Sequence, residues 1–294
     1  FRSETLPFME RVRALLDRYD ARMTVAEIGS QHSHERMVEY TRGTERLHTA
    51  YSFLLLGPQP RADELARMMD AWQAGEAATA WPSWALSNHD VPRVATRWAQ
   101  GDAARARQWL VLLACLRGTL FLYQGEELGL GQSEIAFEDL QDPFGKNHWP
   151  REKGRDGCRT PMPWVADDTT GGFSTGRPWL PSDPAHRALA VDLQAADPDS
   201  TLNLTRRLLA MLKPGGRLLI ANFVPSGSGR AYMEIFMDWT LVLRSEAELR
   251  AIIGEPDFSA TRLVQQAAER AIREGRTQYT QATGLPALRE KISQ

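Results

Sequence analysis

At 294 residues, 43 % of them hydrophobic, the chain is long enough for one large domain or two smaller ones with a buried core. Its 35 basic and 37 acidic residues are interspersed and sum to −2, so no long-range field favours nucleic acid or an anionic membrane. The two cysteines, Cys115 in an apolar run and Cys158 in a polar one, make neither a disulfide framework nor a metal cluster; they point to the reducing cytoplasm, and no signal peptide is visible.

Phe8, Val12, Leu15 and Tyr19 fall on one helical face and predict a helix over 5–19, with Thr5 as its cap and Pro7 in the first turn. A strand follows at 23–28. An apolar run at 47–56 precedes a helix over 62–74, whose Leu65, Met68, Met69 and Trp72 face inward and which Gly75 stops. The next strand is 81–87. A helix capped near Asp102 runs past Leu110 and Leu113, and residues 119–123 read as a buried strand. The apolar stretch at 109–123 is interrupted by Arg117 and Gly118 and is shorter than the roughly 20 residues a membrane span needs. This alternation of strands and helices argues for a parallel sheet with helices outside.

The rhythm stops over 129–178, a stretch rich in Gly, Pro, Asp and aromatic residues and too long for an idle connection. A helix then starts at Asp199 or Ser200 and reaches Leu212, followed by the turn Lys213-Pro214-Gly215-Gly216 and a strand over 217–223. Residues 225–229 form a joint, 230–249 are dense in Met and aromatic residues, and 253–258 open a third style of sequence.

Two strand tips carry chemistry. Met23-Thr24-Val25-Ala26-Glu27-Ile28-Gly29 delivers one acid, and Trp84-Ala85-Leu86-Ser87-Asn88-His89-Asp90 delivers a polar triplet. Paired carboxylates at strand tips are the tools of sugar-bond hydrolysis. Each has a plainer reading beside it: Glu27 as an acid paired with an arginine, and Asn88 or Asp90 as the cap of a helix starting near Val91. Glu126 and Glu127 read equally as a solvated turn and as a substrate contact, and are left outside the site. His32 and His34 lack carboxylate or thiolate partners and read as surface residues rather than metal ligands.

Four blocks in order give these strands a family likeness. They are Thr24-Val25-Ala26-Glu27-Ile28-Gly29, Leu86-Ser87-Asn88-His89-Asp90, Phe121-Leu122-Tyr123-Gln124-Gly125-Glu126-Glu127-Leu128-Gly129 and Lys153-Gly154-Arg155-Asp156-Gly157-Cys158-Arg159-Thr160-Pro161-Met162-Pro163-Trp164. Through them residues 1–208 resemble the alpha-glucosidase branch of the alpha-amylase superfamily, enzymes built on a TIM barrel with the site at the strand C-terminal ends. The resemblance makes the strands the fifth to eighth of a barrel. It implies that Glu27 is the general acid/base, that Asp90 orients the sugar in the transition state, that His89 donates to its hydroxyls, and that Arg159 meets the neighbouring sugar. The family's nucleophilic Asp sits on the fourth strand and further sugar ligands on the third, all expected outside this chain. The resemblance therefore implies an alpha-glucosidase fragment with negligible activity.

Residues 209–252 are similar to the last part of class I methyltransferases that use S-adenosylmethionine, through Leu212-Lys213-Pro214-Gly215-Gly216-Arg217-Leu218-Leu219-Ile220 and Tyr232-Met233-Glu234-Ile235-Phe236-Met237-Asp238-Trp239. Residues 253–294 resemble the N-terminal part of fold-type I aminotransferases, which use pyridoxal phosphate, through Gly254-Glu255-Pro256-Asp257-Phe258, Tyr279-Thr280 and Gly284-Leu285-Pro286. The expectation is a composite of class α/β: a partial (half) TIM barrel with parallel strands and a long loop region, then a small α/β appendage and C-terminal helices. No cofactor and no metal are expected, the former because neither a cofactor loop nor a Schiff-base lysine accompanies the fragments. The expected ligand is an alpha-glucoside, and the expected partner a second copy joined through open sheet edges. Two alternatives stand beside this reading, a non-enzymatic assembly protein using those edges and a binder of pyridoxal phosphate or S-adenosylmethionine.

Overall fold

The structure is a computed structural model that describes residues 3–19, 23–29 and 32–212. The chain divides into two compact units, Phe1–Ala14 with Met23–Thr205, and Leu15–Arg22 with Arg206–Gln294. The first carries nearly all of the described chain. The expected turn at 213–216, the strand at 217–223, the methyltransferase-like and aminotransferase-like segments, the helix face of Tyr232, Phe236 and Trp239, and Tyr279 lie outside the described residues.

Four short strands form the frame of the first unit: β1 Val25–Glu27, β2 Thr49–Tyr51, β3 Ser83–Ala85 and β4 Thr119–Phe121. β1 pairs with β2 in parallel, Val25 opposite Thr49 and Glu27 opposite Tyr51; β3 pairs with β4 in parallel, Ser83 opposite Thr119 and Ala85 opposite Phe121. β2 packs on β3, where the Ser83 hydroxyl donates to the Ala50 carbonyl. β1, β3 and β4 are shorter than the sequence suggested but lie within the expected strands at 23–28, 81–87 and 119–123, whereas β2 was not expected as a strand. The apolar run at 47–56 supplies β2.

Helices separate the strands: α1 Thr5–Leu16, α2 Ser33–Thr41, α3 Ala62–Ala71, α4 Val94–Arg97, α5 Ala103–Cys115, α6 Pro143–His148, α7 Val191–Ala196 and α8 Thr201–Ala210. As expected, the Asp102 side chain caps α5, accepting the Ala104 and Arg105 amides at 2.8 and 3.2 Å. In α3, Leu65, Met68 and Met69 pack on the core, and Trp72 is buried just past its end. α2 has no counterpart in the sequence reading. Its Met37, Val38 and Tyr40 are buried, but the helix is otherwise polar.

The core lies between strands and helices around Met37, Leu55, Trp72, Trp84, Trp98 and Leu113. Arg117, read as an interruption of an apolar run, is a staple. Its guanidinium donates to the carbonyls of Trp72, Ala78 and Ala80 at 3.0, 3.0 and 2.7 Å, while its own carbonyl accepts the Trp84 indole N–H at 2.8 Å. Beside it, Gly118 adopts a φ of +130°, and a Cβ there would sit 2.4 Å from the Pro82 carbonyl oxygen. Among the described residues no helix is long and apolar enough to cross a membrane.

Candidate functional site

The parallel strands deliver their C-terminal residues to one end, where an open cleft of about 370 Å³ is lined by Glu27, Tyr51, the segment Ser87, Asn88 and His89, and the segment Phe121, Leu122 and Tyr123. Glu27, the last residue of β1, is exposed there, and its carboxylate makes no hydrogen bond or ion pair with the described side chains. Tyr51, at the end of β2, lines the cleft with Glu27. It stacks edge-on against Phe121 at 4.9 Å, and burial, reinforced by Glu126, Glu27 and Asp90, pushes its phenol up to about 12.

The triplet after β3 is held by its own side chains. Asn88 Oδ1 accepts the Asp90 and Val91 amides at 2.8 and 3.1 Å, a local turn that turns Asp90 back over the strand end. The helix starts later than expected, at Val94, and the group that accepts its first amide is the Ser87 hydroxyl, 2.9 Å away, rather than Asn88 or Asp90.

Asp90 is the most heavily engaged group at this end. Its Oδ1 accepts from Arg155 Nη1 at 3.0 Å and from Arg159 Nη2 at 3.1 Å, and Arg159 Nε donates to the His89 carbonyl at 2.7 Å. His89 Nε2 lies 3.6 Å from Asp90 Oδ2. The long excursion over 129–178 thus serves the strand ends. The two arginines flank its single turn at Asp156–Cys158 and meet the residues that follow β3.

Below the cleft the structure corrects two sequence expectations. Glu126 is buried and Glu127 half-buried, so they are not a solvated turn. Glu126 accepts the Tyr123 amide at 2.8 Å and a hydrogen bond from Ser87, with Oε1 left unpartnered, and burial pushes its carboxyl up to about 7. Glu127 accepts the Gly125 amide at 2.8 Å and is likewise raised by burial. The nearby Arg93 is fully buried, its Nε and Nη1 donating to the Gln124 and Gly131 carbonyls at 3.3 and 3.1 Å. His34 is also no surface residue: it is half-buried and meets Trp72 edge-on at 4.7 Å.

Glu27, His89, Asp90 and Arg159 are therefore gathered at one end of the strands. Sequence reasoning missed Tyr51, Arg155 and Asp142. An Asp followed by Pro, as in Asp142-Pro143, is a helix-start signature, and Arg155 precedes Arg159 by one helical turn, so both left a trace in the sequence. Among the described residues no cluster of His, Cys, Asp and Glu is arranged to hold a metal ion.

Comparison with known proteins agrees with this geometry. The alpha-amylase family, described as the alpha amylase catalytic domain, matches residues 2–218. A probable alpha-glucosidase of Rhizobium meliloti (strain 1021) is 46 % identical over 220 residues, 72 % of this chain and 39 % of the relative. The crystal structure of an alpha-glucosyl transfer enzyme, XgtA, is 48 % identical and superposes with a TM-score of 0.65 over 71 % of this chain and 39 % of its own. The trehalose-6-phosphate hydrolase of Bacillus licheniformis shares the fold at 22 % identity, with a TM-score of 0.60 over 70 % of this chain and 43 % of its own. The chain spans about two fifths of the length of these relatives.

Proposed function

The chain belongs to the alpha-amylase family of catalytic domains, and on that premise we propose that the cleft at its strand ends is the acid/base side of an alpha-glucoside site. The observation that carries this reading is the convergence of Glu27 with Ser87, Asn88 and His89, 60 residues or more apart in sequence, on one cleft at the C-terminal ends of parallel strands, with Asp90 next in the chain. Tyr51 and Phe121 offer apolar faces to a sugar ring, and His89, Asp90 and Arg159 offer the polar contacts that orient it.

In this reading Glu27 hands its proton to the glycosidic oxygen as the bond breaks and then takes one from the incoming acceptor. Asp90 accepts from ring hydroxyls, and the negative charge near the ring favours the oxocarbenium-like transition state. Hydrolysis with retention also needs a nucleophilic carboxylate about 5 Å from the acid/base. Asp90 is unsuited to that task in this reading, because the family position it matches faces ring hydroxyls and not the anomeric carbon. Glu126 is buried, with its carboxylate accepting from the Tyr123 amide and from Ser87. Among the described residues neither Asp90 nor Glu126 supplies the attack, and in this reading the cleft binds an alpha-glucoside and cleaves it negligibly.

Maltose titrated calorimetrically into the purified chain tests the site. Binding is expected in the wild type and is expected to weaken by at least about tenfold in Asp90→Asn, since losing a charged hydrogen-bond acceptor is worth roughly 1.5–3 kcal/mol. A wild type that does not respond to maltose overturns the site reading. Turnover of 4-nitrophenyl alpha-glucoside by the wild type that disappears in Glu27→Gln overturns the inactivity.

A further inference from the structure

We propose that Asp142 is a positioning residue for this cleft: its buried carboxylate clamps Arg155, and Arg155 in turn fixes the Asp90 carboxylate at the strand ends. The proposal rests on the alpha-glucoside reading for its consequence, though not for its geometry. The Asp142 side chain is fully buried, whereas those of Arg155 and Asp90 are 41 % and 38 % exposed. Asp142 Oδ1 accepts from Arg155 Nη2 at 2.9 Å, and Oδ2 accepts from Arg155 Nε at 3.0 Å and from the Arg155 backbone amide at 2.8 Å. This is a two-pronged guanidinium–carboxylate pair with a backbone bond added, which fixes direction as well as distance.

The clamp is itself held. Asp156, fully buried, accepts the Gln141 and Asp142 amides on one oxygen at 2.6 and 2.8 Å, and Asp142 Oδ1 also accepts the Phe144 amide at 3.2 Å at the start of α6. Two chain segments meet here without side chains between them. A Cβ on Gly154 would lie 2.8 Å from the Gly145 Cα and 2.9 Å from Asp142 Oδ2. With Nε and Nη2 thus committed, Nη1 is the arm left to reach Asp90 Oδ1 at 3.0 Å.

Exposed ion pairs add little to stability, so the Arg155 to Asp90 contact is a weak fold staple. What it does well is remove rotamer freedom from a carboxylate that stands in solvent, which spares a ligand that cost on binding. Asp90 Oδ1 is committed to Arg155 and Arg159, and Oδ2 is turned toward His89 and open to a hydroxyl group.

Asp142→Asn tests the clamp, because Asn keeps the size and still caps a helix while losing the charge and one acceptor. Two readouts that a merely structural role would not move are the three-bond Hα–Hβ couplings of Asp90 and the Nε–H signal of Arg155 in nuclear magnetic resonance spectra of the full chain. The wild type is expected to show one Asp90 rotamer and a protected Arg155 Nε–H. In Asp142→Asn both are expected to average, with maltose affinity falling about fivefold, and combining Asp142→Asn with Asp90→Asn is expected to weaken binding no further than Asp90→Asn alone. As a control, Asp102→Ala weakens the α5 cap and leaves the couplings and the maltose response unchanged. Asp90 couplings that do not change in a folded Asp142→Asn overturn the proposal whether or not maltose binds. A wild type with one Asp90 rotamer and no maltose response leaves the clamp standing and removes the alpha-glucoside reading instead.

Discussion

Burial beneath the strand ends pushes the Glu126 carboxyl up to about 7, from an ordinary value of 4.5, because desolvation outweighs the hydrogen bonds from Ser87 and from the Tyr123 amide. The folded chain therefore holds this proton more tightly than the unfolded one. Its contribution to stability is fully present below about pH 4.5 and is lost as the pH rises through about 7, a change on the order of 3 kcal/mol. His186 acts in the opposite sense: burial pushes its imidazole down, so it contributes stability as the pH rises through the ordinary histidine range. The difference between wild type and Glu126→Gln isolates the carboxyl. Urea midpoints at pH 5, 6.5 and 8 are expected to fall progressively in the wild type relative to the variant, and parallel curves would show that Glu126 does not titrate in this window. The effect has a structural address near the site, since Ser87 immediately precedes the Asn88 turn that carries Asp90.

At the scale of elements, the β3 to β4 pair depends on one backbone position. Gly118 combines a φ of +130° with a carbonyl 2.4 Å from where a Cβ would sit, and the next residue, Thr119, donates its amide to that same Pro82 carbonyl at 2.9 Å. Gly118→Ala is expected to lower stability by at least about 2 kcal/mol through strain and displaced pairing. Gly176→Ala, with open space around it, is the matched control, and thermal melts of the two variants decide the matter. This dependence was only half legible. The strands and α3 and α5 announce themselves through apolar runs and periodicity, and Asp102 announces a helix start. α2 did not, because its inward Met37, Val38 and Tyr40 are diluted by charged neighbours. The order inside the excursion escaped for another reason: it depends on buried carboxylates bonding to backbone amides, as Asp156 does to Gln141 and Asp142, and such bonds have no period in a sequence. Of the site, Glu27, His89, Asp90 and Arg159 were legible through their motif blocks. Arg155 and Asp142 gain their meaning only once 65 and 13 residues of separation are folded away.

For the molecule as a whole the strand edges matter: among the described residues β1 pairs only with β2 and β4 only with β3. Met23 and Val25, on and beside β1, are exposed apolar residues. An unpaired parallel edge with apolar side chains is a template for another strand. We propose that a second copy of the chain covers these edges. Sedimentation velocity over a range of concentrations is expected to show species larger than one chain. Val25→Lys places a charge on the β1 edge and is expected to shift the distribution toward the monomer. A wild type that sediments as one monomer at every concentration and melts in one sharp transition would mean that the edges are covered within the chain itself.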